Sequence, residues 1–283
     1  MARKTRRQLL GQHFLHDKNI IKKIIEANQP EKSDLFIEIG PGTGALTFLL
    51  AERAGLVLAI EKDQALIPAL ETKAPANVEV IAGDILKLDL APLIERKRTG
   101  LSSVKMAGNL PYHISTQILF VLLEIKNSLT QAVFLFQKEV AQRLVAKVGT
   151  KKYSPLSILL QNYFEAELLF FIKPGAFSPP PAVDSACLKF TRRQKPVFFP
   201  EEEDQDFTEF LKASFARRRQ TLKKNLEKAG YSPKKISQAL EEAQLKSPTR
   251  AEELEPQILY QVFRGLKGAD KERRDGLKSR QPL

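Results

Sequence analysis

Short apolar runs of strand length recur along the first half of the chain, at positions 35–39, 57–60, 78–82, 104–107 and 132–136, with helix-compatible stretches between them. Parallel strands need a long crossover, usually a helix, so this alternation constrains the fold more than any other feature. Between the first two runs, TGALTFLLAERAG places Leu46, Leu49, Leu50 and Ala54 at helical spacing, and Gly55 stands where it can cap the helix. The unit is βαβ, and its repetition predicts an α/β fold: a mostly parallel, doubly wound sheet with helices on both faces. Two later runs, 168–172 and 186–190, flank the turn-rich KPGAFSPPPAVD and predict an antiparallel finish to the sheet. Beyond TRRQKPVFFPEEEDQD, glycine and strand-like runs thin out. FTEFLKASFARRRQTLKKNLEKAG, PKKISQALEEAQL and EELEPQILYQVFRGL then read as short amphipathic helices. The expected organisation is a catalytic domain over 1–195 with a basic N-terminal arm, a helical domain over 196–268, and a charged, disordered tail over 269–283.

With 45 Lys and Arg against 33 Asp and Glu, the net charge is +12, and the basic residues are grouped at 3–7, 96–98, 192–195, 217–224 and 267–280. Such grouping favours a polyanionic partner, because each neutralised phosphate releases counterions; a merely solvated basic surface is the ordinary alternative. No apolar run approaches membrane-spanning length and MARKTRRQLLGQHF lacks a signal-peptide core, so a soluble, cytoplasmic protein is expected, with a monomer as the default state. The single cysteine, Cys187, excludes a disulfide framework, and the three histidines, His13, His16 and His113, have no second ligand at metal-binding spacing. No metal is assigned.

LFIEIGPGTGALT sets Gly40, Gly42 and Gly44 between the first strand and the first helix, where glycines admit a ligand close to the backbone and the helix start offers free N–H groups. A dinucleotide fingerprint would read G-x-G-x-x-G, whereas the spacing here is G-x-G-x-G. Glu38, two positions before the first glycine, suits a ligand with a cationic amino group better than a pyrophosphate. Glu61 ends the second strand, placed to accept from two ribose hydroxyls, and Asp84 follows the third, placed to accept from an adenine amino group. Each acid alone is equally an ordinary turn former or cap. Together with the glycines they point to S-adenosylmethionine rather than a nicotinamide cofactor.

The fourth run leads into Asn109-Leu110-Pro111-Tyr112. Proline cannot donate to a ladder and pushes the preceding residue out of helix, so a strand ends here in a rigid turn that displays an amide and an aromatic ring. That pair could grip a planar hydrogen-bonding base; the alternative is a plain strand-to-helix turn with a buried tyrosine.

Five stretches together resemble the ribosomal RNA adenine dimethyltransferases that modify small-subunit RNA: GQHFL at 11–15, EIGPGTGALT at 38–47, NLPYHIST at 109–116, FSPPPAVDS at 177–185 and SFARRRQTLKKNL at 214–226. The proline-rich and arginine-rich stretches favour this branch over the erythromycin-resistance methyltransferases. The resemblance spans nearly the whole chain apart from the tail. It implies a Rossmann-like methyltransferase domain with a small C-terminal helical domain, and contacts to S-adenosylmethionine or its surroundings from His13, Leu15, Gly40, Glu61, Asp84 and Asn109. It also implies dimethylation of two adjacent adenines in a hairpin near the 3′ end of small-subunit RNA, within a partly assembled subunit and as a step in ribosome biogenesis. In the implied mechanism the Asn109 side-chain oxygen and the Leu110 carbonyl accept from the adenine amine, and Pro111 keeps them fixed. Tyr112 stacks on the extruded base. Phe177, carried by the stiff Pro179-Pro180-Pro181 segment, closes the other face or else packs in the core. Arg217, Arg218, Arg219, Lys223 and Lys224 are read as one RNA-binding helix, with Arg217, Thr221 and Lys224 on one face and Arg219 and Lys223 on another. A non-catalytic RNA-binding, assembly or transcription factor on the same fold is the competing expectation, and it leaves Asn109, Glu61 and Asp84 without a purpose.

Overall fold

The structure, a computed structural model, describes residues 12–245 and 248–267, so the expected basic arm and tail lie outside the described residues. The chain divides into two compact units, Met1–Val145 with Tyr163–Arg193, and Ala146–Asn162 with Gln194–Leu283.

The first unit is built on a seven-stranded sheet. Its strands are β2 (Asp34–Ile39), β3 (Leu56–Glu61), β4 (Val78–Ala82), β5 (Ser103–Asn109), β6 (Gln131–Gln137), β7 (Phe164–Ile172) and β9 (Ser185–Arg192), in the order β4-β3-β2-β5-β6-β9-β7. The pairs from β4 to β6 are parallel, and β9 runs antiparallel to both β6 and β7, the expected finish. β2 is buried along its whole length, as a central strand covered on both faces must be. The chain steps outward through β3 and β4, then returns past β2 to place β5 on its other side. That reversal opens a crevice at the carboxyl ends of β2 and β5, where open α/β sheets bind ligands.

The helices between strands are α1 (Lys18–Asn28), α2 (Thr47–Ala51), α3 (Ile67–Lys73), α4 (Leu90–Lys97), α5 (Ser115–Glu124) and α6 (Lys138–Leu144). Helix α1 starts where the Asp17 carboxylate accepts from the Asn19 and Ile20 amides at 2.9 and 3.2 Å, and its Ile21, Ile24 and Ile25 stripe enters the core. A second, two-stranded ladder was not foreseen: β1 (Phe14–Leu15) pairs antiparallel with β8 (Phe177–Ser178). It brings His13, Phe14 and Leu15 against Phe177, Ser178 and Pro179. Cys187, on β9, is wholly buried, and burial pushes its thiol up to about 12.

The second unit is helical: α7 (Pro155–Tyr163), most of which belongs here, α8 (Asp204–Ser214), α9 (Leu222–Lys228), α10 (Pro233–Glu242) and α11 (Pro256–Lys267). Phe199, Phe207, Phe210, Tyr260 and Phe263 pack ring against ring, Phe199 and Phe207 at 4.6 Å. Residues 146–162, read from the sequence as catalytic-domain chain, cluster with this unit. The physical reason is Asn162: its Oδ1 accepts from the amides of Val197, Phe198 and Phe199 at 3.1, 2.7 and 3.3 Å, and its Nδ2 donates to the Phe199 carbonyl at 3.0 Å. Among the described residues, no helix is long and apolar enough to cross a membrane.

Candidate functional site

A cleft of about 940 Å³, counting the part open to solvent, lies at the carboxyl ends of the central strands. Its wall is drawn from Gln12–Leu15, the glycine loop, the ends of β3 and β5, and the turn after β4. Gly40 has φ +65°, and a Cβ there would meet nothing within 4 Å: that stretch of loop backbone faces open space. Gly42 has φ +58°, and a Cβ would stand 2.9 Å from the Phe14 ring, so β1 seats itself directly against the loop.

Glu61 ends β3 and fastens the loop. Its Oε2 accepts from the Gly42 amide at 3.0 Å and its Oε1 from the Asp63 amide at 2.7 Å. A carboxylate has about four acceptor positions, so two amides leave capacity for ribose hydroxyls. Burial raises its pKa, and the two amides act against that rise. Asp84 lies in the turn after β4; its Oδ2 pairs with the Lys62 ammonium at 2.8 Å, its Oδ1 accepts from Leu86 N at 3.1 Å, and chiefly through Lys62 its pKa is lowered. Lys62 itself lines the cleft, a feature that reading single acids could not supply.

Asn109 is the last residue of β5. Its Nδ2 donates to the His13 carbonyl at 2.6 Å, which fixes the amide's orientation and leaves Oδ1 as its accepting end. His13 is held in turn by its ring: Nδ1 lies 2.7 Å from the Pro179 carbonyl, which can only accept, so Nδ1 carries the proton. Pro111, at φ −59°, leads into a three-residue turn, Tyr112–Ile114, whose backbone is held by Ile114 N to Pro111 O at 3.1 Å and by Ser115 Oγ to Tyr112 O at 2.9 Å. The Tyr112 ring lies 5.7 Å from His13, and its hydroxyl bonds Ser185 Oγ.

The cleft thus gathers His13, Leu15, Gly40, Gly42, Glu61, Asp84, Asn109, Leu110, Pro111 and Tyr112. Three expected members stand elsewhere. Gly44, at φ +85°, turns toward Phe48 and is not among the lining residues. Glu38 is a central-strand residue 2% exposed, and burial, with the nearby Glu61 charge adding to it, pushes its carboxyl up to about 7. Its side chain is not among those lining the cleft. Phe177 is 2% exposed and packs with Leu15, Ile21, Ile172 and Ala176 in the hydrophobic core, so it offers no face to a base here. Gln12 was missed: it lines the cleft with its Oε1 buried and unpartnered among the described residues. Only its place beside His13 in GQHFL could have pointed to it.

The buried positions of Glu38 and Phe177 can each be checked. Glu38 binds a proton more tightly folded than unfolded, so the fold loses stability as pH rises from its ordinary 4.5 to about 7, by on the order of 3 kcal/mol. Glu38→Gln should flatten that slope in urea titrations at stepped pH; an unchanged slope would reject it. For Phe177, replacement by Ala should cost about 3–5 kcal/mol of stability, while Phe177→Leu should keep methyl-transfer turnover. Turnover lost by a fully stable Phe177→Leu would return the ring to the base.

In the second unit, the basic stretch 217–224 is not one helix. Helix α8 ends at Ser214 and α9 starts at Leu222, capped by Thr221 Oγ1 on the Lys224 amide at 3.3 Å. The break is held from α9: Asn225 Nδ2 donates to the carbonyls of Ser214 and Arg217 at 2.8 and 3.2 Å. Arg217 and Arg219 are exposed on the loop, Lys224 is exposed on α9, and Lys223 leans on Ser237 at 3.4 Å. Arg218 differs: its guanidinium donates to the Lys151 and Tyr153 carbonyls, a tie within the unit rather than a free cation. The two helical faces expected of this stretch do not exist.

The residues present fit S-adenosylmethionine: an open backbone cradle at Gly40, acceptors with spare capacity at Glu61 and Asp84, and the unpartnered Gln12 oxygen. Sheet order and cleft together define an α/β methyltransferase of the Rossmann-like class. The model of the family described as ribosomal RNA adenine dimethylase matches residues 3–267, and the chain belongs to that family. Ribosomal RNA small subunit methyltransferase A of Streptococcus thermophilus (strain CNRZ 1066) is 43% identical over 256 residues, 88% of each chain. Its namesake in Shouchella clausii is 42% identical over 258 residues, 89% of this chain and 87% of that one. Among solved structures, a dimethyladenosine transferase from Plasmodium falciparum superposes with a TM-score of 0.75 at 25% identity, covering 92% of this chain and 98% of that one. The 23S rRNA methyltransferase ErmE gives 0.66 at 25%, covering 90% and 99%. The family's methyl donor is S-adenosylmethionine, and its reaction is the dimethylation of adenine in ribosomal RNA.

Proposed function

We propose that this chain transfers methyl groups from S-adenosylmethionine to the exocyclic amines of two adjacent adenines in the 3′-terminal hairpin of small-subunit ribosomal RNA, giving N6,N6-dimethyladenosine at each. The observation that carries the reading is the bond from Asn109 Nδ2 to the His13 carbonyl, which leaves the amide oxygen as an acceptor at the mouth of the cleft. S-adenosylmethionine, when bound, supplies a methyl group on an electron-poor sulfonium. Glu61 would hold the ribose hydroxyls and Asp84 the adenine amine of that cofactor, with Gly40 admitting it to the backbone. The Asn109 Oδ1 and the Leu110 carbonyl accept from the target amine, turning its lone pair out of conjugation with the ring and favouring the positive charge that develops on nitrogen; each transfer would break the sulfonium–methyl bond to leave a neutral thioether, and the methylated amine loses one proton to water. Tyr112 offers the flat surface for the extruded base, and loop adenines, already partly unstacked, cost least to extrude. Arg217, Arg219, Lys223 and Lys224 would follow phosphates of the folded RNA.

The test is direct: unmethylated small subunits are incubated with methyl-labelled cofactor and the RNA is digested. Label in N6,N6-dimethyladenosine supports the reading; label confined to monomethyladenine or to protein defeats it. Glu61→Ala and Asp84→Ala should each weaken cofactor binding, by roughly 1.5–3 kcal/mol for a lost hydrogen bond to a charged group. Calorimetry on both variants decides: affinities equal to wild type would remove these acids from the cofactor.

A further inference from the structure

We infer that Ser185 is a positioning residue for methyl transfer, acting through the hydroxyl of Tyr112; this rests on the function proposed above. Tyr112 has its backbone fixed by the Pro111 turn and by Ser115 Oγ, but those bonds end at the main chain. They leave the two ring torsions to be set from outside. The far end of the ring is held by the bond between its hydroxyl and Ser185 Oγ, across 73 residues of sequence.

Ser185 is a rigid post for that bond. It is 0% exposed at the first position of β9, where it pairs with Gln137 of β6 on one side and Ile172 of β7 on the other, so its Cα is fixed by two neighbouring strands. A buried hydroxyl in a sheet must find a partner, and here the partner is the phenol rather than the strand's own backbone. The ring held this way lies along the cleft, half-buried, with the His13 imidazole 5.7 Å away and tilted by 30°. A stacking surface whose plane is set before the base arrives loses less freedom on binding than one that must be ordered by it. The role is distinct from stability: it concerns the plane of one ring, which the core does not need.

The experiment is a double-mutant cycle on the full chain, with unmethylated small subunits as substrate and with 2-aminopurine at the target position of a hairpin RNA as a fluorescent report on stacking. Ser185→Ala and Tyr112→Phe should each lower kcat/KM for RNA about tenfold, with cofactor affinity close to wild type and both proteins fully folded at the assay temperature, although each leaves one hydroxyl of the pair without its partner. The double variant should be no worse than the poorer single one. Quenching of 2-aminopurine should weaken in all three, and Ser185→Thr, which keeps the hydroxyl, should recover both readouts. Losses that multiply in the double variant, or a Ser185→Ala with wild-type kinetics and quenching, would overturn the assignment. A Ser185→Ala whose activity falls only as its folded fraction falls overturns it as well. A wild-type protein that methylates no adenine would instead overturn the functional reading, and this assignment with it.

Discussion

Asn109→Ala should fold, bind cofactor and nearly fail to methylate RNA, with kcat reduced about 100- to 1000-fold. The size follows from what is removed: a preorganised acceptor at the atom where positive charge develops, a loss typically of about 2.7–4 kcal/mol in the transition state. The ground state loses far less. The Nδ2 bond to the His13 carbonyl is one neutral hydrogen bond, and its removal should lower stability by about 1 kcal/mol. Asn109→Asp sharpens the comparison, because it keeps the oxygen but replaces the donor to His13 with a second acceptor facing a carbonyl. It should lose more stability than the alanine variant. Single-turnover methylation at saturating RNA and cofactor, with calorimetry for cofactor affinity, checks the prediction; turnover within a few-fold of wild type would defeat the proposed mechanism.

The second large effect concerns RNA. Arg217→Glu combined with Arg219→Glu should weaken RNA binding by about 100-fold or more near 0.1 M salt and flatten the salt dependence by about one unit of slope for each phosphate left without its cation. Cofactor affinity should not change, since neither side chain is among those lining the cleft. Arg218 separates the readings of this triplet. Because its guanidinium is committed to the Lys151 and Tyr153 carbonyls, Arg218→Ala should lower thermal stability and leave the salt slope nearly intact. A slope that falls equally for all three arginines would show a uniform basic surface instead. Filter binding across a salt series measures each case.

How far the sequence foretold the molecule depends on the length scale of the signal. The parallel sheet was legible because five apolar runs separated by helical periods repeat a signal over a hundred residues. Glycines and strand-terminal acids were legible because both are tied to strand ends, and the topology brings strand ends together. The β1–β8 ladder was not, since two residues have no period, and its partners are chosen by tertiary packing. Phe177 could not be placed for the same reason: the ladder that buries it is invisible in composition. The interruption after Ser214 hid because helix formers continue through it, and the Asn225 side chain that takes up the Ser214 and Arg217 carbonyls lies beyond the break. The strand-end position of Glu61 marks it in the sequence as a ligand for the cofactor, whereas its other task, holding the glycine loop through Gly42, depends on a fold only the completed sheet provides.

The short ladder between β1 and β8 also sets an order of assembly. The glycine loop, Glu61, Asp84 and Asn109 are all translated before residue 110, yet the wall of the cleft at His13 is fastened to Pro179, 166 residues further along. Closing a loop of that length is slow relative to local pairing, and nothing rewards it until both ends have somewhere to dock. A nascent chain released short of the FSPPPAVDS stretch would carry most of the chemistry and lack the clasp that turns Asn109 outward. Competence to bind and to act therefore arrives late, with one of the last segments of the first unit to leave the ribosome.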